Sequence, residues 1–475
     1  MNVIPCCTWV KRGVSAAVPD KVQLTAEELA GIIKKTESDL AEFEANSDDD
    51  SDKEEAGCSS TNTDNKNEAP SKSTDDEFNF ENYDQEAGEI KVTMDSLALI
   101  EKDGKDPYIT VQESEDDDSE KEDEIIKPDD NLVLLGHVDG DASILEVYVY
   151  NEREGSFYCH HDIFLPSFPL CLEWLSFDPS DAKPGNFVAI GNMTSVIEVW
   201  DLDIVDCLEP IFKLGCKPSK KHNRKRVGHK DAVLDLAWNV QLPHILASGS
   251  VDKTVLLWDI EKGVPDTKLD QFTEKVGALQ WHPKKSYMLL AGSEDKTAKL
   301  FDCRTSDTFK TWETTGEVER VLWNYFDPNY FFLSTKNGII ECIDIRQGQH
   351  LWEVKGHEKE ITGLSLSSSC PGFLVTSSED GVIKVWDALS PQLLEPVWET
   401  ETNLGAIQCL HLSPNSPFTI AVGGDHKSHN FKVWDLTENS QVNERFRSRR
   451  LVESVQNEES DAGNPEDTEE METDE

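Results

Sequence analysis

Short apolar and alternating runs recur along residues 131–446, separated by polar turns. "AVLDLAW", "VGALQW" and "VERVLW" end at Trp238, Trp281 and Trp323, and Trp174 closes a similar run. Leu366 in "ITGLSL" and His411 in "AIQCLHL" hold the same place. About twenty residues further along each unit, a β-branched run ends in a bulky residue followed by Asp. These pairs are Trp200-Asp201, Trp258-Asp259, Phe301-Asp302, Ile343-Asp344, Trp386-Asp387 and Trp434-Asp435. Their spacings are 58, 43, 42, 43 and 48 residues. A third series follows at Trp312, Trp352 and Trp398, so eleven of the twelve tryptophans fall into register and only Trp9 is left over.

Each unit predicts four short strands. "SVDKT", "SEDKT", "KNG" and "SEDG" supply the tight turn between the second and third, with Asp252, Asp295, Asn337 and Asp380 six residues before the third strand's end. Asp or Asn beside Gly or Lys is the chemistry such a turn requires. Four-stranded sheets at a period near 43 are the blades of a β-propeller. Third strands ending near Tyr150, Trp200, Trp258, Phe301, Ile343, Trp386 and Trp434 make seven blades. The first unit lacks an inner strand, and "VIPCCTW", ending in Trp9, has the required form. Residues 1–12 are therefore expected to join the propeller, either as the inner strand of the first blade or as the outer strand of the last.

Charge divides the chain differently. Net charge is −48; residues 37–130 carry −26 of it and residues 451–475 carry −11. "ANSDDDSDKEE" and "SEDDDSEKEDE" repel themselves and lack apolar residues for a core. Residues 45–130 thus read as a long acidic disordered insertion, and 451–475 as an acidic disordered tail. Ser47, Ser51, Ser114 and Ser119 precede acids and are candidate phosphosites for an acid-directed kinase. A short amphipathic helix is expected over residues 25–44, opened by a capping box at Thr25 and Glu28. "DDEFNFENYDQE" interleaves Phe78, Phe80 and Tyr83 with acids and reads as a docking segment.

Against this background one cluster is basic. Six of the ten residues 217–226 are cations: Lys217, Lys220, Lys221, Arg224, Lys225 and Arg226. The cluster lengthens one repeat, so it is an insertion between the second and third blades. Such a loop serves as a nuclear address, a phosphate contact, or both. No aromatic residue interleaves with it, so contact with RNA would be blind to sequence. Arg445, Arg447, Arg449 and Arg450 around Phe446 form a second basic patch, read as reinforcing the first or holding off the acidic tail.

The eleven cysteines are scattered, with no C-x-x-C pair, and read as reduced thiols; no metal spacing occurs and no cofactor is implied. No apolar run approaches the ~18 residues of a membrane span, and the start lacks a basic region followed by an apolar one, so no secretory leader is expected. There is no glycine-rich phosphate loop and no nucleophile elbow, so an enzyme with a small-molecule substrate is not expected.

The repeats resemble WD repeats: Gly228-His229 precedes Trp258 by the same distance that Gly356-His357 precedes Trp386. The resemblance implies a hydrogen-bonded chain across each complete blade, formed by His229, Ser248, Asp252 and Trp258 and by His357, Thr376, Asp380 and Trp386. Blade-by-blade recurrence makes these structural tetrads, not a hydrolase triad. More narrowly, "TWVKRG", "PDK", "DPYITV", "KPDDNLVLLG", "VYNEREGSFYCHHDI" and "GNMTSVIEVWDLDIVDCLEP" resemble the periodic tryptophan protein 1 family along nearly the whole chain. That resemblance implies a protein of the nucleus and nucleolus acting as a scaffold in ribosomal RNA production and large-subunit precursor assembly. Its partners would be ribosome assembly factors and pre-ribosomal RNA. The alternative is a chromatin-associated regulator that binds histones at ribosomal RNA genes.

Overall fold

A computed structural model describes residues 2–22, 124–180, 183–218, 223–305, 307–389 and 395–452, with isolated positions between 25 and 34. The chain divides into two units, Met1–Leu24 with Glu122–Glu475, and Thr25–Lys121; the first is described below. The helix expected at 25–44, most of the acidic segment, the four candidate phosphoserines and the tail from residue 453 lie outside the described residues.

Seven antiparallel sheets form the blades of a propeller. Blade one is built from Asn2–Val10, Asn131–Asp139, Ala142–Asn151 and Ser156–Leu165, in that order from the inside. The strand ending near Trp9 is therefore the inner strand of the first blade, paired along its length with Asn131–Asp139. Blades two to six each hold four strands in sequence order, and blade seven holds three: Ile407–Leu412, Thr419–Gly424 and Phe431–Asp435. The same N-terminal strand closes the ring. Trp9 Nε1 donates to His411 O at 3.1 Å, Arg12 N to Asn415 Oδ1 at 3.0 Å and Asn2 Nδ2 to Lys427 O at 3.0 Å, all on blade seven.

Hydrophobic cores lie in the seams between neighbouring blades, because each sheet buries both faces. Phe187 and Val199 of blade two pack with Val233, Leu246 and Trp258 of blade three, and the pattern repeats around the ring. At the turns before the third strands, Lys253 and Lys296 adopt φ +68° and +62° while Gly338 and Gly381 do the same at +73° and +81°. Those four turns need a left-handed residue, which glycine adopts without penalty and lysine does not.

Two segments extend the fold past the blades. After its first strand the chain runs along blade two, where Asp20–Lys21 pairs in parallel with Ile204–Val205. Ile126 is buried and its N–H donates to Ala17 O at 2.9 Å, so residues 124–130 belong to the folded body and not to an acidic disordered segment ending at 130. Apolar side chains cause that departure: Ile126 finds a place in the core of blades one and two. At the other end, helix α1 (Ser440–Phe446) buries Val442 and Phe446. Among the described residues no helix is long and apolar enough to cross a membrane.

Candidate functional site

The structure brings both sets of four residues together. In blade three Trp258 Nε1 donates to Ser248 Oγ at 2.7 Å, Ser248 Oγ lies 2.7 Å from His229 Nε2, and His229 Nδ1 lies 3.1 Å from Asp252 Oδ2. A ring protonated on Nδ1 satisfies every member: it donates to the carboxylate and accepts the serine O–H. In blade six Trp386 Nε1 donates to Thr376 Oγ1 at 2.9 Å, Thr376 lies 2.8 Å from His357 Nε2, and His357 Nδ1 is 3.2 Å from Asp380. Burial alone would raise the Asp252 carboxyl. The hydrogen bonds from His229, Thr254 and the Lys230 N–H outweigh it and hold the group well below its ordinary range.

Ser248 and Thr376 have no solvent exposure and already accept an indole N–H, so neither hydroxyl is placed to attack a substrate. Each tetrad ties the inner end of one loop to a turn and a third strand. The glycine ahead of His229 is required by the indole: a Cβ on Gly228, at φ +94°, would sit 2.6 Å from Trp258 Cη2, whereas a Cβ on Gly356 would meet Ile340 Cδ1 at 2.8 Å. Other blades lack some members of the tetrad. Blade four has Phe301 with Ala291 at the hydroxyl position, and Phe272 stands at the histidine position, 5.7 Å from the Phe301 ring. Blade two keeps Trp200 but has Ile190 opposite it, and the buried Trp200 indole N–H has no partner among the described residues.

The basic insertion leaves blade two after its outer strand Phe212–Leu214 and enters blade three at Val233–Trp238. Cys216 and Val227 pair across its base, with N–H to O distances of 2.8 and 3.2 Å. Gly215 approaches Val227 O and Trp258 Cη2, so the base of the loop rests on the blade-three tetrad. Lys217, Arg224, Lys225 and Arg226 are exposed; Lys220 and Lys221 lie outside the described residues. Arg226 Nη1 donates to Lys230 O at 2.7 Å, which holds one cation at the loop's return. Connections from an outer strand to the next inner strand share a face with the Asp252-type turns.

The second basic patch is not what the sequence suggests. Phe446 is buried, ring to ring with Phe373 at 4.8 Å. Arg445 and Arg449 both bind the Asp387 carboxylate at the end of blade six's third strand, with Arg445 Nε at 2.7 Å and Arg449 Nη2 at 2.5 Å. Those two arginines are part of a clamp that fixes α1 to the propeller, two guanidinium groups sharing one carboxylate. Arg445, Arg447 and Arg450 are exposed, and Arg447 and Arg450 are the two that do not bind Asp387.

Sequence reasoning missed a polar belt around the axial channel. The inner strands of blades two to six each place a polar side chain on the backbone at or beside the next blade's inner strand. Glu173 accepts from Trp238 N at 2.9 Å, Asp235 from Leu279 N at 2.7 Å, Gln280 from Trp323 N, and Ser365 Oγ from Leu412 N at 3.2 Å. Arg320 Nε donates to Thr362 O at 3.0 Å. Burial pushes Glu173 up to about 8 and Asp235 up to about 6. The signal was present in the sequence as polar residues interrupting the apolar inner runs, as Asp235 does in "VLDLAW" and Gln280 in "VGALQW".

Fold and sites together define a WD-repeat β-propeller, a scaffold class. The profile described as "WD domain, G-beta repeat" matches residues 220–259, 264–302 and 348–387. A mitotic checkpoint complex crystal structure contains a similar chain at TM-score 0.51 and 18% identity, covering 64% of this chain and 84% of that one. At that identity the likeness concerns the fold alone. The periodic tryptophan protein 1 homolog of Drosophila melanogaster is 43% identical over 435 residues, 90% of this chain and 92% of that protein. Periodic tryptophan protein 1 of Saccharomyces cerevisiae is 29% identical over 528 residues, 96% and 91% of the two chains. The chain belongs to the periodic tryptophan protein 1 family.

Proposed function

We propose that this chain is a non-enzymatic scaffold in ribosome biogenesis, working in the nucleolus on ribosomal RNA production and large-subunit precursor assembly. The observation that carries the reading is the exposed basic loop. In a chain with 93 acidic and 45 basic side chains, Arg224, Lys225 and Arg226 stand together in solvent on one face, anchored at the base by a backbone pair and a buried tetrad. Phosphate is the partner such a cluster attracts, and the absence of interleaved aromatics favours backbone contact over base stacking. The propeller rims then remain for assembly factors.

Gradient sedimentation of nuclear extract tests the reading. The chain is expected to travel with large precursor particles, to be released by ribonuclease and to resist release by deoxyribonuclease. Release by deoxyribonuclease, with direct capture on histone tails, would instead support the chromatin alternative.

A further inference from the structure

Blade seven ends on an open edge. Among the described residues its third strand, Phe431–Asp435, has no fourth strand beside it, whereas each of the other six blades has one. Chain leaving Asp435 turns into a 3-10 helix and then α1, which packs on Phe373 and Asp387 of blade six. Gly424 N donates to Asn430 O at 2.7 Å and Leu436 N to Phe418 O at 3.1 Å, so alternate residues face the neighbouring strand. The peptide groups of Phe431 and Val433 therefore point the other way, out of the sheet.

Side chains along that edge differ on its two faces. Toward blade one, Phe431 lies 6.0 Å from both Tyr148 and Phe157, and those two rings stack at 4.9 Å. Phe157 is 44% exposed, an uncommon position for a stacked phenylalanine. Toward blade six, Lys432 is exposed with its ammonium 3.6 Å from the Trp434 ring. Lys427, in the loop that leads into the strand, is exposed too. Among the described residues neither lysine has a carboxylate within ion-pair distance, in a chain where acids outnumber cations two to one.

We infer that this edge is a docking site for an extended peptide from another protein, added as blade seven's fourth strand, with apolar and acidic side chains in alternation. Period-two alternation sends one set of side chains onto Phe157, Tyr148 and Phe431 and the other toward Lys432. The exposed peptide groups of Phe431 and Val433 supply the main-chain bonds. A second copy of this chain is disfavoured by the net charge of −48 on each molecule. The inference concerns a different face from the basic loop and stands or falls without it.

The test uses the full chain and fluorescent nine-residue peptides, one alternating valine with glutamate and one alternating valine with lysine, read by anisotropy. The glutamate peptide is expected to bind and the lysine peptide to bind more weakly. K432E should weaken the first and strengthen the second by about fivefold each, the size of one exposed charge pair. F157A should weaken the glutamate peptide by about tenfold. V433P removes one outward N–H and should abolish binding of both, and hydrogen exchange of blade seven reports whether the sheet persists. Equal binding of the two peptides, or binding unchanged by K432E and F157A, overturns the inference, as does binding by neither. A dimer that K432E or V433P converts to monomer would assign the edge to a second copy and equally overturn it.

Discussion

Replacing Ser248 by alanine removes one oxygen and leaves two buried groups stranded. Trp258 Nε1 loses its acceptor at 2.7 Å and His229 Nε2 loses its donor at 2.7 Å, with no water able to reach a position of zero exposure. A buried polar group left unpaired costs about 1–3 kcal/mol, so the pair costs about 2–5 kcal/mol. The cavity from one lost oxygen is small beside that. For a domain of this size each kcal/mol lowers Tm by about 2 °C, giving a drop of about 4–10 °C. Blade two shows that the fold survives one orphaned indole, at Trp200, so destabilisation and not collapse is expected. Thr376→Val in blade six is the companion variant: it keeps volume and removes only the hydroxyl that Trp386 and His357 share. Thermal melts followed by tryptophan fluorescence, with urea titrations for the free energy, read both. If both variants stay within about 0.5 kcal/mol of the parent, the tetrads do not hold the blades and the reasoning fails.

Two further predictions concern geometry and pH. Gly228→Ala, which must hold φ +94° and displace Trp258 Cη2 from 2.6 Å, should cost about 2 kcal/mol or more. Gly263→Ala, at φ +66° with open space around it, should cost only about 1 kcal/mol in the same melts. Glu173, pushed by burial to about 8, favours its protonated form in the fold, so its contribution to stability is full below about pH 4.5 and is lost as pH rises through 8. Stability between pH 5 and 9 should therefore decline at up to about 1.4 kcal/mol per pH unit from this one group. Glu173→Gln, which keeps the acceptor for Trp238 N, should flatten that decline in denaturant titrations run across the range.

The repeat was legible because tryptophan is rare and its burial sites recur at a fixed distance: Trp258 and Trp386 mark the same seam in different blades. The tetrads followed from four residue types at constant offsets. The placement of the first strand was open in the sequence, since "VIPCCTW" suits an inner or an outer position, and only pairing with Asn131–Asp139 decides it. The arginines around Phe446 were misread for a related reason. Charge is visible in a sequence but its partner is not, and Asp387 lies far from Arg445 and Arg449 along the chain. The belt escaped notice because its members differ in type and in place: Glu173, Gln280 and Ser365 stand one residue before the end of the inner run, and Asp235 and Arg320 three before it.

The claim that the basic loop contacts ribosomal RNA phosphate is tested most directly by ultraviolet cross-linking in cells. The parent chain is compared with a variant carrying serine at Lys217, Lys220, Lys221, Arg224, Lys225 and Arg226, both bearing an added nuclear localisation signal. Loss of most ribosomal RNA cross-links in the variant, with nuclear level and Tm unchanged, is the predicted result. Undiminished cross-links, with only the untagged variant leaving the nucleolus, would make the loop an address and contradict the phosphate contact.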